Sequence, residues 1–368
     1  MDKKGKTTIV ISGANITSGG PLQVFRDVLS QTRNHKEFYI VAIVADVSLF
    51  GEFDHVHFIQ IKLYKKFILL KFFYEYIWYY FLSKKMNVHL WLSLNDCSPT
   101  VRSRVRSVYC HNATPFYKRR LKDYLNPTRS FLQSFYYPLF YYINLSRNKY
   151  IIVQQQWIRD YFVNAYGAMR SSVIVNQPTA CENVNLKSEK PDVYTFIYPT
   201  KPQPYKNIEV ICEAVQLIES ASLAKFKVIV TVNGKESRYA MRLIEKYGHL
   251  RCISWVGAVN RDKMSYLYST SDCLIFSSTL ETWGLPITEF RQYGRPMLLV
   301  DLPYAKESSG GYEFVKFFAA DDPEELQKYM LTLIEKEALA FDKNPSVEVE
   351  KPFTNGFDEL FSLILTKE

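Results

Sequence analysis

The chain has 368 residues, of which 47% are hydrophobic and 15% are aromatic, and its formal net charge is +9. This length predicts two domains rather than one, and the hydrophobic content is ordinary for a globular protein. Residues 1–190 hold 26 Lys and Arg against 12 Asp and Glu, whereas residues 191–368 hold 20 against 25. The basic first half is therefore expected to meet an anionic partner.

The six cysteines form no C-x-x-C pair and have no zinc-like spacing, which excludes a sequence-evident metal or disulfide framework. Several of them lie in apolar runs, where a free cysteine behaves as a small hydrophobic residue. The residues before the first strand lack the long apolar region of a signal peptide. These features predict a reduced, cytoplasmic protein.

The first element is a buried strand at Thr7–Ser12, followed by a glycine-rich loop and a helix that runs to about Arg33. Strand, glycine-rich loop and helix predict a phosphate cradle of the Rossmann type, although the spacing does not match G-x-G-x-x-G. The alternative for the Gly19–Gly20 pair is a tight turn that needs glycine. We favour the cradle because open α/β sheets bind ligands at the carboxyl ends of their strands.

Further strands alternate with helical stretches, which predicts a parallel sheet covered on both faces. They are predicted at Phe38–Val44, Val88–Leu94, Val105–Cys110, Tyr150–Val153 and Ser172–Asn176. His111 directly follows one of these strands, so it is expected to face the ligand cleft, although a lone histidine is more often structural. The stretch Gln177–Pro191 is predicted to be the linker between the domains.

Aromatic stretches bracketed by basic residues stand out in the first half, at Lys62–Lys85, Phe116–Lys122 and Phe135–Tyr142. Their uncharged runs are too short to span a bilayer, which needs about 20 apolar residues. Basic residues beside aromatic ones are typical of a helix that lies in a membrane interface. The alternative is an aromatic core face with solvated lysines. The sequence predicts peripheral contact with an anionic membrane surface.

The second domain begins with a strand at Val193–Tyr198, followed by a proline-rich loop and a helix. Lys201 and Lys206 lie on this loop, five residues apart, and are predicted to clamp a diphosphate. Each ammonium group 4 Å from a phosphate oxygen gains roughly 4 kcal/mol at an effective dielectric near 20, before desolvation. The alternative is two solvated loop lysines.

The central stretch of this domain is a strand at Asp272–Phe276, then a loop with Glu281, then a helix predicted over Ile287–Tyr293. Free backbone N–H groups are expected at Gly284, Leu285 and Ile287, around the helix start, where they favour a phosphate. Two carboxylates would repel that phosphate unless they accept hydrogen bonds from neutral hydroxyls. A diphosphate flanked by two polyols, as in a nucleotide-sugar, satisfies every group.

Glu281 and Glu289, eight residues apart around Thr-Trp-Gly-Leu-Pro, resemble the E-x7-E motif of the retaining GT-B glycosyltransferases of family 4. The stretch Gly294–Glu307 is similar to the family's G-x-P and D-x-P continuation. The resemblance covers the C-terminal half well and the N-terminal half thinly. It implies an α/β fold of GT-B architecture, with two Rossmann-like doubly wound domains facing across a cleft.

The implied domains are an N-terminal acceptor-binding domain at 1–187 and a C-terminal donor-binding domain at 188–350. A C-terminal segment at 351–368, predicted as part of a helix over Phe353–Leu365, is expected to pack back on the first domain.

The resemblance also implies a role for each matching residue. Glu289 is expected to hold the ribose and Glu281 the sugar hydroxyls, while His111 is expected near the reacting sugar. The diphosphate is expected to contact Lys201, Lys206, Thr282, Gly284 and Leu285. Gly19 and Gly20 are expected to approach the donor phosphates, and Gly257 and Val259 belong to the expected base-binding turn. The family usually has Arg where this chain has Lys201, which keeps the charge but loses the bidentate fork.

The sequence thus predicts a retaining hexosyltransferase that uses a nucleotide-diphospho-sugar as co-substrate, without a metal or another cofactor and without nucleic acid. The expected acceptor is a saccharide, here a lipid-linked one in bacterial surface-polysaccharide assembly, at the inner face of the cell membrane. One alternative is an enzyme like glycogen synthase or phosphorylase acting on soluble polysaccharide. Another is a catalytically inactive scaffold of a polysaccharide assembly. A nicotinamide dehydrogenase is disfavoured because G-x-G-x-x-G is missing.

Overall fold

The computed structural model describes residues 7–64, 67–117, 129–178, 193–221 and 225–365. The chain forms two compact units, of which the first contains Met1–Thr179 and Val349–Glu368 and the second contains Ala180–Glu348. Most of the predicted linker Gln177–Pro191 and of the basic stretch Phe116–Lys122 lies outside the described residues.

Strands and helices alternate along both units. The strands are β1 (Thr8–Ser12), β2 (Tyr39–Val44), β3 (His57–Gln60), β4 (Val88–Ser93), β5 (Val105–Cys110), β6 (Tyr150–Val153), β7 (Val173–Gln177), β8 (Tyr194–Tyr198), β9 (Phe226–Val230), β10 (Ile253–Trp255), β11 (Cys273–Phe276), β12 (Met297–Val300), β13 (Val315–Phe318) and β14 (Phe353–Asn355). The α-helices are α1 (Gly20–Gln31), α2 (Ile68–Phe73), α3 (Tyr79–Lys84), α4 (Arg129–Tyr142), α5 (Gln156–Tyr166), α6 (Ile208–Ala221), α7 (Arg238–Tyr247), α8 (Arg261–Thr270), α9 (Leu285–Arg291), α10 (Pro303–Ser309), α11 (Pro323–Ile334) and α12 (Gly356–Leu365). A π-helical turn, Tyr74–Trp78, joins α2 to α3.

The first unit is built on a parallel sheet whose described strands lie in the order β14-β7-β6-β5-β4-β1-β2-β3. Every residue of β1 is buried, as expected for a strand covered by helices on both faces. The strand order reverses at β1, where Ile9 is aligned with Ile40 of β2 and with Leu90 of β4. The loops after β1 and β4 therefore diverge to opposite faces and leave a crevice at their carboxyl ends.

The second unit repeats this plan with the strand order β10-β9-β8-β11-β12-β13. Its order reverses at β8, where Phe196 is aligned with Val228 of β9 and with Cys273 of β11. The crevice of the second unit thus lies beyond β8 and β11. These are the two strands that precede the lysine loop and the Glu281 loop.

The C-terminal segment is part of the first unit. Strand β14 pairs with β7, and α12 buries Phe357, Leu360 and Phe361 in the same core cluster as Phe25 of α1. The buried Arg159 side chain donates to the backbone carbonyls of Glu350, at 2.8 Å, and of Pro352. The segment is held by β-pairing, by helix packing and by a buried guanidinium group.

The prediction of a helix over Phe353–Leu365 is wrong at its start. Residues Phe353–Asn355 form β14, and the helix begins only at Gly356, whose φ is 76°. A left-handed glycine ends the extended strand and turns the chain into the helix. The short apolar stretch was ambiguous because periodicity alone cannot separate a brief strand from the first turn of a helix.

Candidate functional site

The two loops that border the crevice of the second unit are bonded to each other. The Ser277 hydroxyl lies 3.1 Å from the carbonyl oxygen of Lys206 and 3.0 Å from that of Asn207, within donating distance of both. The backbone N–H of Thr279 donates to the Tyr205 carbonyl at 2.6 Å. Because both loops also leave adjacent paired strands, they form one continuous edge of the crevice.

At this edge the Lys206 ammonium group forms an ion pair with the Glu281 carboxylate. Both side chains are mostly buried, with exposed fractions of 17% and 16%. Burial lowers the pKa of Lys206, but the Glu281 charge and the nearby Tyr205 and Tyr198 hydroxyls outweigh it and raise the pKa above its usual value. Lys206 is therefore a fixed cation at neutral pH.

Glu289 lies on α9, the helix that follows the Glu281 loop. It accepts a hydrogen bond from the Tyr268 hydroxyl of α8 at 2.8 Å. Burial raises the pKa of this carboxyl, while the Tyr268 hydrogen bond and the Arg261 charge act in the opposite direction. The tyrosine binds one carboxylate oxygen and so fixes the orientation of the Glu289 side chain.

Gly284 directly precedes α9 and has a φ of 86°, a conformation that favours glycine. A Cβ atom there would lie 3.2 Å from Ile287 Cδ1 and 3.4 Å from the Tyr304 ring. The prediction of a free N–H at Ile287 is wrong, because this group donates to the Gly284 carbonyl at 2.9 Å. The helix begins at Leu285 rather than at Ile287, so its first turn takes up that donor.

The other predicted donor contacts of the second unit lie on its loops. Gly257 has a φ of 73°, and a Cβ atom there would lie 2.5 Å from Asn233 Nδ2. Val259 is half-buried on the same turn, and Thr282 is half-buried beside Glu281. Lys201 is exposed on the lysine loop. Within the described part of the chain, the structure brings Lys206 and Glu281 together but shows no ion pair that joins Lys201 to them.

In the first unit, Gly19 caps α1 with a φ of 73°, and Gly20 is the first residue of that helix. The sequence did not single out Gly13, which packs against α1. A Cβ atom at Gly13 would lie 2.3 Å from the Phe25 ring. Glycine is therefore required for the close packing of strand and helix, a signal that the G-x-G-x-x-G search could not detect.

His111 is held by Asp96, a residue that no sequence pattern singled out. Asp96 Oδ1 accepts from the backbone N–H of His111 at 2.8 Å and from that of Asn112 at 3.0 Å. The second carboxylate oxygen lies 3.9 Å from His111 Nε2. Asp96 has a left-handed φ of 59°. The polar pair Asn95–Asp96, which follows β4, was the available sequence signal for this contact.

Asn95 joins the two loops of the first crevice. Its Oδ1 accepts from the backbone N–H of Asn15 at 3.0 Å, and its Nδ2 donates to the buried Glu75 carboxylate at 2.8 Å. Glu75 also accepts from the Tyr64 hydroxyl. Burial raises the pKa of Glu75, although the Tyr64 and Asn95 hydrogen bonds and the Lys71 charge oppose the shift. This network holds the loop after β1 and the loop after β4 in place.

Residues 7–64, 67–117, 129–178, 193–221 and 225–365 contain no group of three or more His, Cys, Asp or Glu that could hold a metal ion. In the same ranges, no helix has the length and hydropathy needed to cross a membrane. The five described cysteines are free.

Comparison with known proteins finds similarity to glycosyltransferases. Residues 182–346 match the family model described as glycosyl transferases group 1. The curated relative O-antigen chain mannosyltransferase B of Escherichia coli is 26% identical over 152 residues, which are 41% of this chain. The chain spans 40% of the length of that relative. Both matches cover less than half of the chain.

Solved structures extend the similarity to both units. WaaG, a glycosyltransferase involved in lipopolysaccharide biosynthesis, has a TM-score of 0.65 at 13% identity over 89% of this chain and 90% of its own. HepE of Anabaena in complex with UDP-glucose has a TM-score of 0.61 at 12% identity, with the same coverage of 89% and 90%. At these identities the similarity shows the fold. The prediction of an α/β protein with two Rossmann-like units of the GT-B class is confirmed.

Proposed function

We propose that this protein is a retaining glycosyltransferase of family 4 that moves a hexose from a nucleotide-diphospho-sugar to a saccharide acceptor. The observation that carries the proposal is the Lys206–Glu281 pair at the crevice of the second unit, followed along the chain by Glu289 on α9. This unit contains the whole match to glycosyl transferases group 1, and HepE, a neighbour in fold, is named as a complex with UDP-glucose. Ligands of open α/β sheets bind where the strand order reverses, as it does at this crevice.

In this proposal the donor binds against the second unit. Glu289 accepts from the ribose hydroxyls, and Gly257 and Val259 border the base. Thr282 and the backbone of Gly284 and Leu285 contact the diphosphate. A partly buried carboxylate such as Glu289 favours a ligand that offers hydroxyl donors, because each added hydrogen bond offsets part of its lost hydration.

The central chemical role belongs to Lys206. When the sugar leaves, negative charge develops on the diphosphate oxygen, and a preorganised ammonium group stabilises that charge. Glu281 holds Lys206 in place and accepts hydrogen bonds from the sugar hydroxyls. Lys201, exposed on the same loop, adds a second positive charge. In this assignment lysines and backbone donors neutralise the leaving group, and neither a metal nor another cofactor is required.

The first unit supplies the acceptor side in this proposal. His111 contacts the reacting sugar, and Gly19 and Gly20 approach the donor phosphates. Asp96 acts through His111 and is a positioning residue rather than a catalytic one. The expected acceptor is a lipid-linked saccharide of surface-polysaccharide assembly, at the inner face of the cell membrane. Both WaaG and the Escherichia coli relative are named for lipopolysaccharide or O-antigen synthesis.

The experiment that tests the reaction follows slow donor hydrolysis by proton NMR, since the acceptor need not be known. The proposal expects wild-type protein to release a sugar whose first detectable anomer has the donor's configuration. Lys206→Ala should reduce this rate about 10²–10³-fold. Lys246→Ala is the matched control, because this lysine pairs with Glu213 at 3.8 Å on the exposed surface. An inverted product, or a Lys206→Ala rate equal to wild type, would overturn the proposal.

A further inference from the structure

The first unit exposes an unusually apolar surface built from two helical segments. The first segment is residues 67–84, which contain α2, the π turn and α3, and the second is residues 131–142 of α4. We call this surface the two-helix face. The two parts pack together through the Phe72 and Phe140 rings, whose centroids lie 4.8 Å apart. The Lys71 ammonium group lies 4.4 Å from the Phe140 ring centre and 5.0 Å from that of Tyr137. The face is thus one ordered surface of the first unit.

Large apolar side chains of this face point to solvent in two rows. Leu69, Phe73, Ile77 and Phe81 follow one another at intervals of four residues. An α-helix has 3.6 residues per turn, so such a row would drift around a regular helix, but the wider π turn at Tyr74–Trp78 compensates. Leu69 is 76% exposed and Phe81 is 58% exposed. On α4, Leu132 and Leu139 continue the apolar surface.

The exposed charged residues in the described part of the chain between 62 and 142 are all basic. Lys62, Lys84 and Lys85 are exposed at the two ends of the first helical segment, and Arg102 is exposed beside α3. The backbone N–H of Arg102 donates to the Ser83 hydroxyl at 2.8 Å, which fixes that position. The described residues between 62 and 142 contain two acidic residues, Glu75 and Asp96, and both are buried.

We infer that the two-helix face is a docking surface for an anionic lipid bilayer. Apolar and aromatic side chains would enter the boundary between headgroups and acyl chains, while the surrounding lysines would bind acidic headgroups. A second copy of the chain fits poorly, because it would bring two cationic rims together. The inference concerns where the protein lies and does not depend on the proposed reaction.

The first test measures binding to vesicles by flotation. Wild-type protein should float with phosphatidylcholine vesicles containing phosphatidylglycerol at 50 mM salt, and binding should fall with added salt and in pure phosphatidylcholine. Leu69→Gln/Phe73→Gln/Phe81→Gln should lower the partition coefficient at least about tenfold. Met169→Gln/Met241→Gln/Tyr266→Gln replaces exposed apolar residues elsewhere and should bind like wild type.

The charged rim is tested separately. Lys84→Glu/Lys85→Glu should lower the partition coefficient at least about thirtyfold at low salt, since each basic residue near an anionic surface contributes about 1 kcal/mol, and tenfold corresponds to 1.4 kcal/mol. The matched control is Lys235→Glu/Lys263→Glu on the second unit. Leu69→Trp should show a blue-shifted emission when anionic vesicles are added.

The outcomes separate this inference from the proposed function. Lys206→Ala should lose turnover but float like wild type. The inference is overturned if wild-type protein ignores anionic vesicles at low salt, or if the triple Gln variant binds as well as its control. It is also overturned if wild type is a dimer by sedimentation and the triple Gln variant is a monomer, since a second copy would then cover the face.

Discussion

Lys206 and Glu281 form an ion pair across two loops that leave adjacent strands of the second unit. The pair joins a residue two positions before α6 to one that precedes α9 by four positions. An ion pair this far from bulk water depends on both partners, because the removal of one leaves a poorly solvated charge. Under the proposed function, the same two side chains therefore serve both the stability of the loops and the chemistry.

Removing the lysine alone should cost both properties. We expect Lys206→Ala to lower the free energy of unfolding by about 3 kcal/mol, because Glu281 is left without its counter-charge. Lys206→Met/Glu281→Gln should recover most of that stability and none of the turnover. Urea unfolding and donor hydrolysis measure the two effects. Equal stability of the single and double variants would show that the ion pair does not hold the loops together.

Glu289 predicts a pH dependence. Burial raises its pKa above the ordinary value of 4.5, so the folded state binds this proton more tightly than the unfolded state does. The associated stability is present below the unfolded pKa and is lost as the pH rises through the folded pKa. Glu289→Gln, neutral throughout, should therefore gain stability over wild type near pH 7.5, and the gain should shrink toward pH 4.5.

The measurement for Glu289 is urea unfolding of both proteins between pH 4.5 and 8. Tyr268→Phe should extend the loss of stability to a higher pH, because the tyrosine hydrogen bond lowers the folded-state pKa of this carboxyl. A stability difference that is constant with pH, or that grows in acid, would contradict this account.

Asp96 should matter to the acceptor side more than to the donor side. Asp96→Asn keeps an oxygen acceptor and tolerates the left-handed backbone, so it should lose less than about 1 kcal/mol of stability. Asp96→Ala loses both backbone hydrogen bonds and strains the backbone, so it should lose about 2–4 kcal/mol. The donor affinity of Asp96→Asn, measured by calorimetry, should be close to that of wild type. The KM of Asp96→Ala for the acceptor should be higher than that of wild type. A donor affinity that collapses in both variants would refute this division.

Gly13 offers a test of the strand–helix packing. Gly13→Ala places a methyl group 2.3 Å from the Phe25 ring, so we expect a loss of about 1–3 kcal/mol. Gly51→Ala is the matched control, because nothing lies within 4 Å of its added Cβ. Thermal unfolding of the two variants should differ clearly, and similar melting temperatures would mean that the ring moves aside at little cost.

Regular periodicity made most of the fold predictable from sequence. The buried run of β1 and the apolar run of β11 are bounded by glycine or small polar residues, and both strands occur where expected. The edge strands β3 and β10 were not predicted. They are short, and β3 has no buried residue to reveal a core-facing side.

The residues around the site were predictable to a lesser degree, for a physical reason. Glu281 and Glu289 stand in a local motif, whereas the partners of Lys206 and His111 come from distant parts of the chain. Asp96 is fifteen residues from His111, and only the parallel pairing of β4 with β5 brings them together. Local patterns carry no information on such contacts.

The measurement that tests the central claim most directly is a thermal-shift panel of UDP, GDP, dTDP, CDP and ADP, each with and without its common sugars. It compares wild type with Glu289→Ala and with Glu213→Ala, which also loses a tyrosine hydroxyl partner at 2.8 Å. The account predicts that one nucleotide series stabilises wild type and Glu213→Ala but not Glu289→Ala. Stabilisation by none of the nucleotides, or equal stabilisation of all three proteins, would contradict a donor site at Glu289.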